Sequence, residues 1–265
     1  MERRGTRIAL GVWVALVLLF LYVPIAVICL YAFNSSNVQS WPIAGLTTKW
    51  FSPAIHNGDM QDALKLSLEA AALATSVALV LGTAASFGVH RFRFFGRESI
   101  SFLLVLPIAL PGIITGMALN SYFAFWKMNF GLWTIVIGHA TFCVVVVYNN
   151  VIARLRRVPG SLTEASMDLG AGGVQTFRYV TFPTISTALI SGALLAFALS
   201  FDEVIVTTFT AGAQNTLPIW IFGQIRLGQQ LPQVNAVVFL ILAVTIIPVA
   251  IAQRLTRESG ILRTE

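Results

Sequence analysis

Residues 8–33 read IALGVWVALVLLFLYVPIAVICLYAF, an unbroken apolar run without a charged side chain. A helix rises 1.5 Å per residue, so about 20 such residues cross a hydrocarbon core roughly 30 Å thick. The run is continuous rather than alternating, which excludes a barrel strand, whose residues point in and out over about ten positions. Arg3, Arg4 and Arg7 precede it. The segment is longer than the apolar part of a cleavable leader and no clear small-residue cleavage site follows, so it is expected to persist as a first span.

Five further stretches, at about 63–89, 100–126, 132–153, 184–209 and 234–252, have similar character. The expected fold is therefore an all-α integral membrane protein with six transmembrane helices, forming a single domain over residues 1–265. Composition points the same way. The chain is 57% hydrophobic and 11% charged, with mean hydropathy +0.80, where a soluble domain carries roughly 25% charge. Lipid must solvate much of its surface.

The net charge of +6 is topological rather than a nucleic-acid footprint. Of seventeen basic residues, thirteen fall on one side of the expected spans: Arg3, Arg4, Arg7, Arg91, Arg93, Arg97, Arg154, Arg156, Arg157, Arg178, Arg254, Arg257 and Arg263. Only Lys49, Lys65, Lys127 and Arg226 fall on the other. By the positive-inside rule the richer side is cytoplasmic. An even number of spans then puts both termini there. No nucleic-acid partner is expected.

Local sequence gives each segment a character. The outer stretch from Asn34 to Gln61 carries Trp41, Trp50 and Phe51 among polar residues, as suits a short helix at the headgroup belt. The second stretch is rich in Ala, Ser, Thr and Gly, so its backbone can approach neighbours closely. The third carries Pro107, Pro111, Gly112 and Gly116. Proline removes a ladder bond, so a kink or local unwinding is expected there.

Residues 154–183 form the long cytoplasmic connection between the fourth and fifth spans. In SLTEASMDLG, Ser161 and Glu164 fit a capping box. Ala165, Met167 and Leu169 offer a low apolar surface, and Gly170 permits a turn. EASMDLG at 164–170, nine residues and then VTFP at 180–183 match the pattern EAA-x3-G-x9-I-x-LP in register. This resembles the cytoplasmic signature of bacterial ABC-importer permeases, with Ser166 in place of the second Ala. The resemblance implies a coupling helix, with Glu164, Ala165, Ser166, Asp168, Leu169 and Gly170 engaging an ATPase subunit. A second resemblance is narrower. FALSFDEVIVTTFTAG at 197–212, TLPIWIFGQIR at 216–226, GLTTKWFSPAIHN at 45–57 and ALKLSLEAA at 63–71 look like spermidine/putrescine permeases. One departure is Gly112 after Pro111, where that group often has a carboxylate.

Charges inside spans cost about 2.5–3.5 kcal/mol each on insertion scales and are functional candidates by default. Asp202 and Glu203, toward the outer end of the fifth span, are the strongest. On a continuous helix they point about 100° apart, so one faces the pathway and the other pairs with a neighbour. A carboxylate there would attract a polycation. Asn120, Tyr122, Thr207 and Thr208 are neutral path-lining candidates, though each such residue alone is more often an interhelical hydrogen bond. Glu69 pairs most simply with Lys65 one turn earlier. His139 reads as a packing histidine, and His90 as a basic group at a cytoplasmic helix end. Cys29 and Cys143 read as buried apolar residues.

No GxxxxGK[ST], HExxH, GxSxG or CxxC occurs, so no catalytic, metal or cofactor site is expected. The resemblance implies ATP and Mg on separate subunits. The expected assembly is a second homologous permease, two cytoplasmic ATPases and an extracytoplasmic binding protein in the bacterial inner membrane. Its cargo would be a polyamine, moved by alternating access. Other readings are a permease for another small solute (a metal complex or amino-acid derivative), an autonomous secondary transporter, or a membrane-embedded enzyme.

Overall fold

The computed structural model describes residues 4–92, 94–228 and 230–261, with side chains to Ile246. Arg3, Arg93 and Arg263, and the side chains of Arg4, Arg254 and Arg257, lie outside the described residues. Every regular element among the described residues is helical, and the chain divides into two compact units.

One unit comprises the described residues up to Gln61 and from Ile221 onward. Helix α1 (Arg4–Ala32) packs on α12 (Leu231–Ile261), which also meets the short α2 (Phe51–Ile55). Most of α1 is bare, with Phe20 80% exposed. Phe33, Phe51 and Phe239 form an aromatic knot, with Phe239 edge-on to the other two at 5.1 and 5.7 Å. The expected short outer helix is α2. The loop before it is organised on Asn34, whose Oδ1 accepts the Ser36 and Ala44 N–H groups, each at 3.3 Å. Its carbonyl accepts Trp50 Nε1–H at 2.7 Å.

The second unit, Asp62–Trp220, holds the sites of interest. Its order is most of α3 (Gly58–Arg91), α4 (Arg97–Ala109), α5 (Gly112–Phe125), α6 (Leu132–Leu155), α7 (Gly160–Asp168), α8 (Gly173–Thr176), α9 (Phe182–Phe201) and α10 (Ile205–Thr210). A π turn, Phe177–Thr181, joins α8 to α9. Helix α11 (Leu217–Leu227) follows.

Helix α6 is the hub. It contacts α4, α5, α9 and α10 and buries Ile135, His139, Cys143, Val147 and Val151 completely or nearly so. The small residues of α3 do what their composition suggests. Ala70, Ala74, Ala78 and Ser86 are buried at four-residue spacings, and Gly82 fills the remaining place. A Cβ on Gly82 would meet the Val144 carbonyl oxygen at 2.9 Å. Ser86 donates to the Gly82 carbonyl at 2.7 Å, with the Tyr148 carbonyl 3.1 Å away.

Among the described residues four helices are long and apolar enough to span a bilayer: Gly5–Ala32, Gly58–Arg91, Leu132–Leu155 and the continuous Gly173–Phe201. Helices α4 and α5 qualify together but bend by 101° at Leu110–Pro111. The expected proline kink is thus a full break. The apolar part of α12 within the described side chains, Leu231–Ile246, is shorter.

Candidate functional site

Two places concentrate the candidate residues. The first is α7 and its flanks. Pro159, not Ser161, stands at the N-cap, and no side chain caps the helix there. The Ser161–Glu164 capping box is therefore absent: the helix begins two residues earlier than that cap would set, at Gly160, after an extended Pro159.

The C-terminus follows the reading closely. Gly170 has φ +83°, its N–H meets the Met167 carbonyl at 2.9 Å, and Ala171 N–H meets the Ser166 carbonyl at 3.1 Å. That is a Schellman motif, which favours glycine at the left-handed position. Glu164, Ala165, Asp168, Leu169 and Gly170 are all exposed. Leu169 is 90% exposed, a bare apolar side chain at the helix tip. Ser166 differs. Its hydroxyl lies 3.1 Å from that of buried Thr176, which ties α7 to α8. An alanine at this position would lack that tie. The end of the motif is helical rather than loop. Val180 lies in the π turn and Pro183 in the first turn of α9, with the Thr184 hydroxyl on the Val180 carbonyl at 2.6 Å.

The second place is the break after α9. The continuous fifth helix to about residue 209 is not found. Helix α9 stops at Phe201, Asp202 is its C-cap, and α10 restarts at Ile205. The argument from a 100° helical offset between Asp202 and Glu203 therefore does not apply. Glu203 creates the restart: its Oε1 accepts the Val206 N–H at 3.0 Å, a carboxylate at a helix N-terminus. Glu203 is half-buried. Asp202 is exposed, and no hydrogen bond to its carboxylate occurs among the described residues.

Polar side chains from α5 and α6 hold the short α10. Asn120 Nδ2 donates to the Phe209 carbonyl at 2.7 Å, and the Thr134 hydroxyl to the Thr210 carbonyl at 2.7 Å. His139 is buried with both ring nitrogens engaged, Nδ1 with Ser200 Oγ at 2.7 Å and Nε2 with Thr207 Oγ1 at 2.8 Å. The Thr207 hydroxyl also reaches the Glu203 carbonyl at 2.7 Å. Such bonds average about 0.6 kcal/mol each in membrane proteins. Asn120 and Thr207 are thus interhelical ties here, and Thr207 is fully buried. Tyr122 is exposed, edge-on to Phe123 and Trp126. Thr208 is exposed and bonds back to the Val204 carbonyl. Lys65 and Glu69 pair at 3.9 Å on the surface of α3. Among the described residues no group of His, Cys, Asp and Glu is placed to hold a metal.

One polar feature escaped the sequence reading. Asn149, Asn150 and Arg154 on α6, with Arg157 in the turn just past its end, face Thr187 and Ser191 on α9 across an open cleft. The signal was an Asn–Asn pair inside an apolar helix, in register with arginines one and two turns later.

Residues 77–258 match the family described as binding-protein-dependent transport system inner membrane component. The chain is 39% identical to the putrescine transport system permease protein PotI of Escherichia coli over 84% of its length and 82% of the relative. It is 30% identical to the spermidine/putrescine transport system permease protein PotC of Escherichia coli, over 95% of each chain. Among solved structures it resembles a bacterial ABC transporter involved in import of the acidic polysaccharide alginate, with TM-score 0.72, 16% identity and coverage of 97% of this chain and 98% of the other. A transporter of amino acids superposes with TM-score 0.58 at 16% identity, over 79% of this chain and 99% of the other.

Proposed function

The chain belongs to the binding-protein-dependent transport system inner membrane component family, and from that premise we propose that it is the membrane permease of an ATP-driven importer of polyamines. The observation that carries the cargo is the 39% identity to a putrescine permease along most of both chains. The exposed Asp202 at the break between α9 and α10 fits it chemically, because a carboxylate held clear of other partners is free to meet an ammonium group.

The residues divide the work. This chain supplies six spans, with the bent α4–α5 pair acting as one and α12 as the last, and both termini in the cytoplasm. A homologous permease completes the passage, a binding protein delivers cargo from outside, and two ATPase subunits bind ATP and Mg. The tip of α7, from Glu164 to Gly170, seats on an ATPase. Ser166 passes movement of α7 to α8, and the unbroken run from α8 through α9 carries it to the break at Asp202. Alternating access follows as the two ends of α9 respond in turn.

The test is uptake of radiolabelled putrescine and spermidine by cells lacking this subunit, with and without its return. Restoration by the intact chain but not by Asp202→Asn is expected. Restoration of neither solute would overturn the polyamine cargo and direct the search to other small solutes.

A further inference from the structure

The cleft between α6 and α9 sets a polar surface on two helices long and apolar enough to span a bilayer. Asn149 lies six residues before the end of α6, so it sits about 9 Å along the axis from the helix's last residue. Its side chain is exposed, and that of Asn150 is half-buried with Nδ2 on the Val146 carbonyl at 2.9 Å. Ser191 and Thr187 face them from α9 and are also exposed. Gly192 lets the helices close at the cleft floor, where a Cβ would lie 3.4 Å from Val147 Cα. Amides and hydroxyls at this depth do not face hydrocarbon without cost. The neighbouring side chains on α9 make the contrast: Ile190 and Leu194 are 61% and 65% exposed, as lipid contact requires.

The charges have one sign. Arg154 Nε donates to the Thr184 carbonyl at 2.9 Å, which fixes its guanidinium across the gap from α6 to α9. Arg157 lines the same cleft from the turn two residues past the end of α6. No acidic residue lines it.

We propose that this cleft is a water-filled cytoplasmic mouth of the passage, and that Arg154 and Arg157 make it a one-way exit for cationic cargo. Neutral Asn149, Asn150, Thr187 and Ser191 hydrate a passing ammonium without holding it. The two guanidiniums raise the potential where the cargo leaves, so a released polycation is discouraged from returning. The acidic outer break and the basic inner mouth together form a gradient of affinity from outside to inside. The one-way role rests on the polyamine reading above; the aqueous cleft does not.

The experiment is thiol labelling of the assembled transporter in inside-out vesicles, with and without ATP. Asn149→Cys and Ser191→Cys are compared with Ile190→Cys and Leu194→Cys, using methanethiosulfonates bearing a sulfonate or a trimethylammonium. The unsubstituted chain, whose Cys143 is buried, sets the background. Expected is reaction at 149 and 191 but not at 190 and 194 in at least one nucleotide state. The sulfonate reagent should react faster at 149, and Arg157→Gln should lower that preference about threefold, the Coulomb effect of one charge at about 12 Å in nearly aqueous surroundings on two oppositely charged reagents. Absence of labelling at 149 and 191 in both states overturns the aqueous cleft. Labelling without a charge preference overturns the one-way exit and leaves the cleft standing. Labelling as expected in a transporter that carries no polyamine would remove the one-way exit together with the cargo and leave the aqueous cleft standing.

Discussion

At the scale of single residues, Gly82 and Gly88 separate close packing from mere helix composition. Both lie on α3, and both read alike in the sequence as small residues of a spanning segment. A Cβ at Gly82 would meet the Val144 carbonyl oxygen at 2.9 Å and Val147 Cβ at 3.0 Å, whereas nothing lies within 4 Å of one at Gly88. Backbone is among the atoms encroached on at Gly82, so side-chain rotation cannot relieve the overlap. Gly82→Ala is expected to destabilise the folded permease by about 1–3 kcal/mol, the usual range for overpacking. Gly88→Ala should be neutral or slightly stabilising, because alanine favours helix over glycine by roughly 1 kcal/mol. Thermal unfolding of the purified protein in detergent compares them, and equal melting temperatures would remove close α3–α6 packing as the reason for the small-residue pattern. Which glycine carries the contact is invisible in sequence, because it depends on the rotation of α3 against α6. That the helix packs closely was legible from its alanines.

At the scale of elements, the α9–α10 break shows where sequence reading stops. Residues 184–209 contain no proline, and their one glycine, Gly192, lies mid-helix, so neither residue ends the helix at Phe201. The termination comes from the carboxylate of Glu203 on Val206 N–H and from ties supplied by Asn120, Thr134 and His139, which are remote in sequence. The α4–α5 break was legible because proline announces it. The Schellman end of α7 was legible from Gly170, whereas its start was misjudged because Pro159 sets the backbone before any hydroxyl is needed. The break also assigns different work to its two acids. Glu203→Ala removes a helix cap and should lower stability by about 1 kcal/mol, and Glu203→Gln, which keeps an acceptor oxygen, should restore most of it. Asp202→Asn should leave the melting temperature unchanged while reducing uptake of the cation. Equal losses of stability from Glu203→Ala and Asp202→Asn would mean that Asp202 is as structural as its neighbour.

At the scale of the whole molecule, the charges and the bare tip of α7 converge on one end of the second unit. Phe87, near the end of α3, stacks edge-on with Phe177 in the π turn at 5.8 Å, so the end of α3 lies beside the start of the long α9 run. Arg91, Arg154, Arg156, Arg157 and Arg178 all belong to these ends. By the positive-inside rule that end is the one expected in the cytoplasm, and there α7 presents Leu162, Met167 and Leu169 at 46%, 49% and 90% exposure. Bare apolar side chains on a polar helix in water are costly unless a partner covers them. Leu169 is well suited to test the partner, because its side chain makes almost no internal contact. Leu169→Asp should leave the level of the permease in the membrane and its melting temperature unchanged. It should nevertheless reduce recovery of the ATPase subunits with a tagged permease at least tenfold, which is about 1.4 kcal/mol of association energy. Full recovery of the ATPase with Leu169→Asp would mean that the contact lies elsewhere on the cytoplasmic end, and the exposed tip would then need a different occupant.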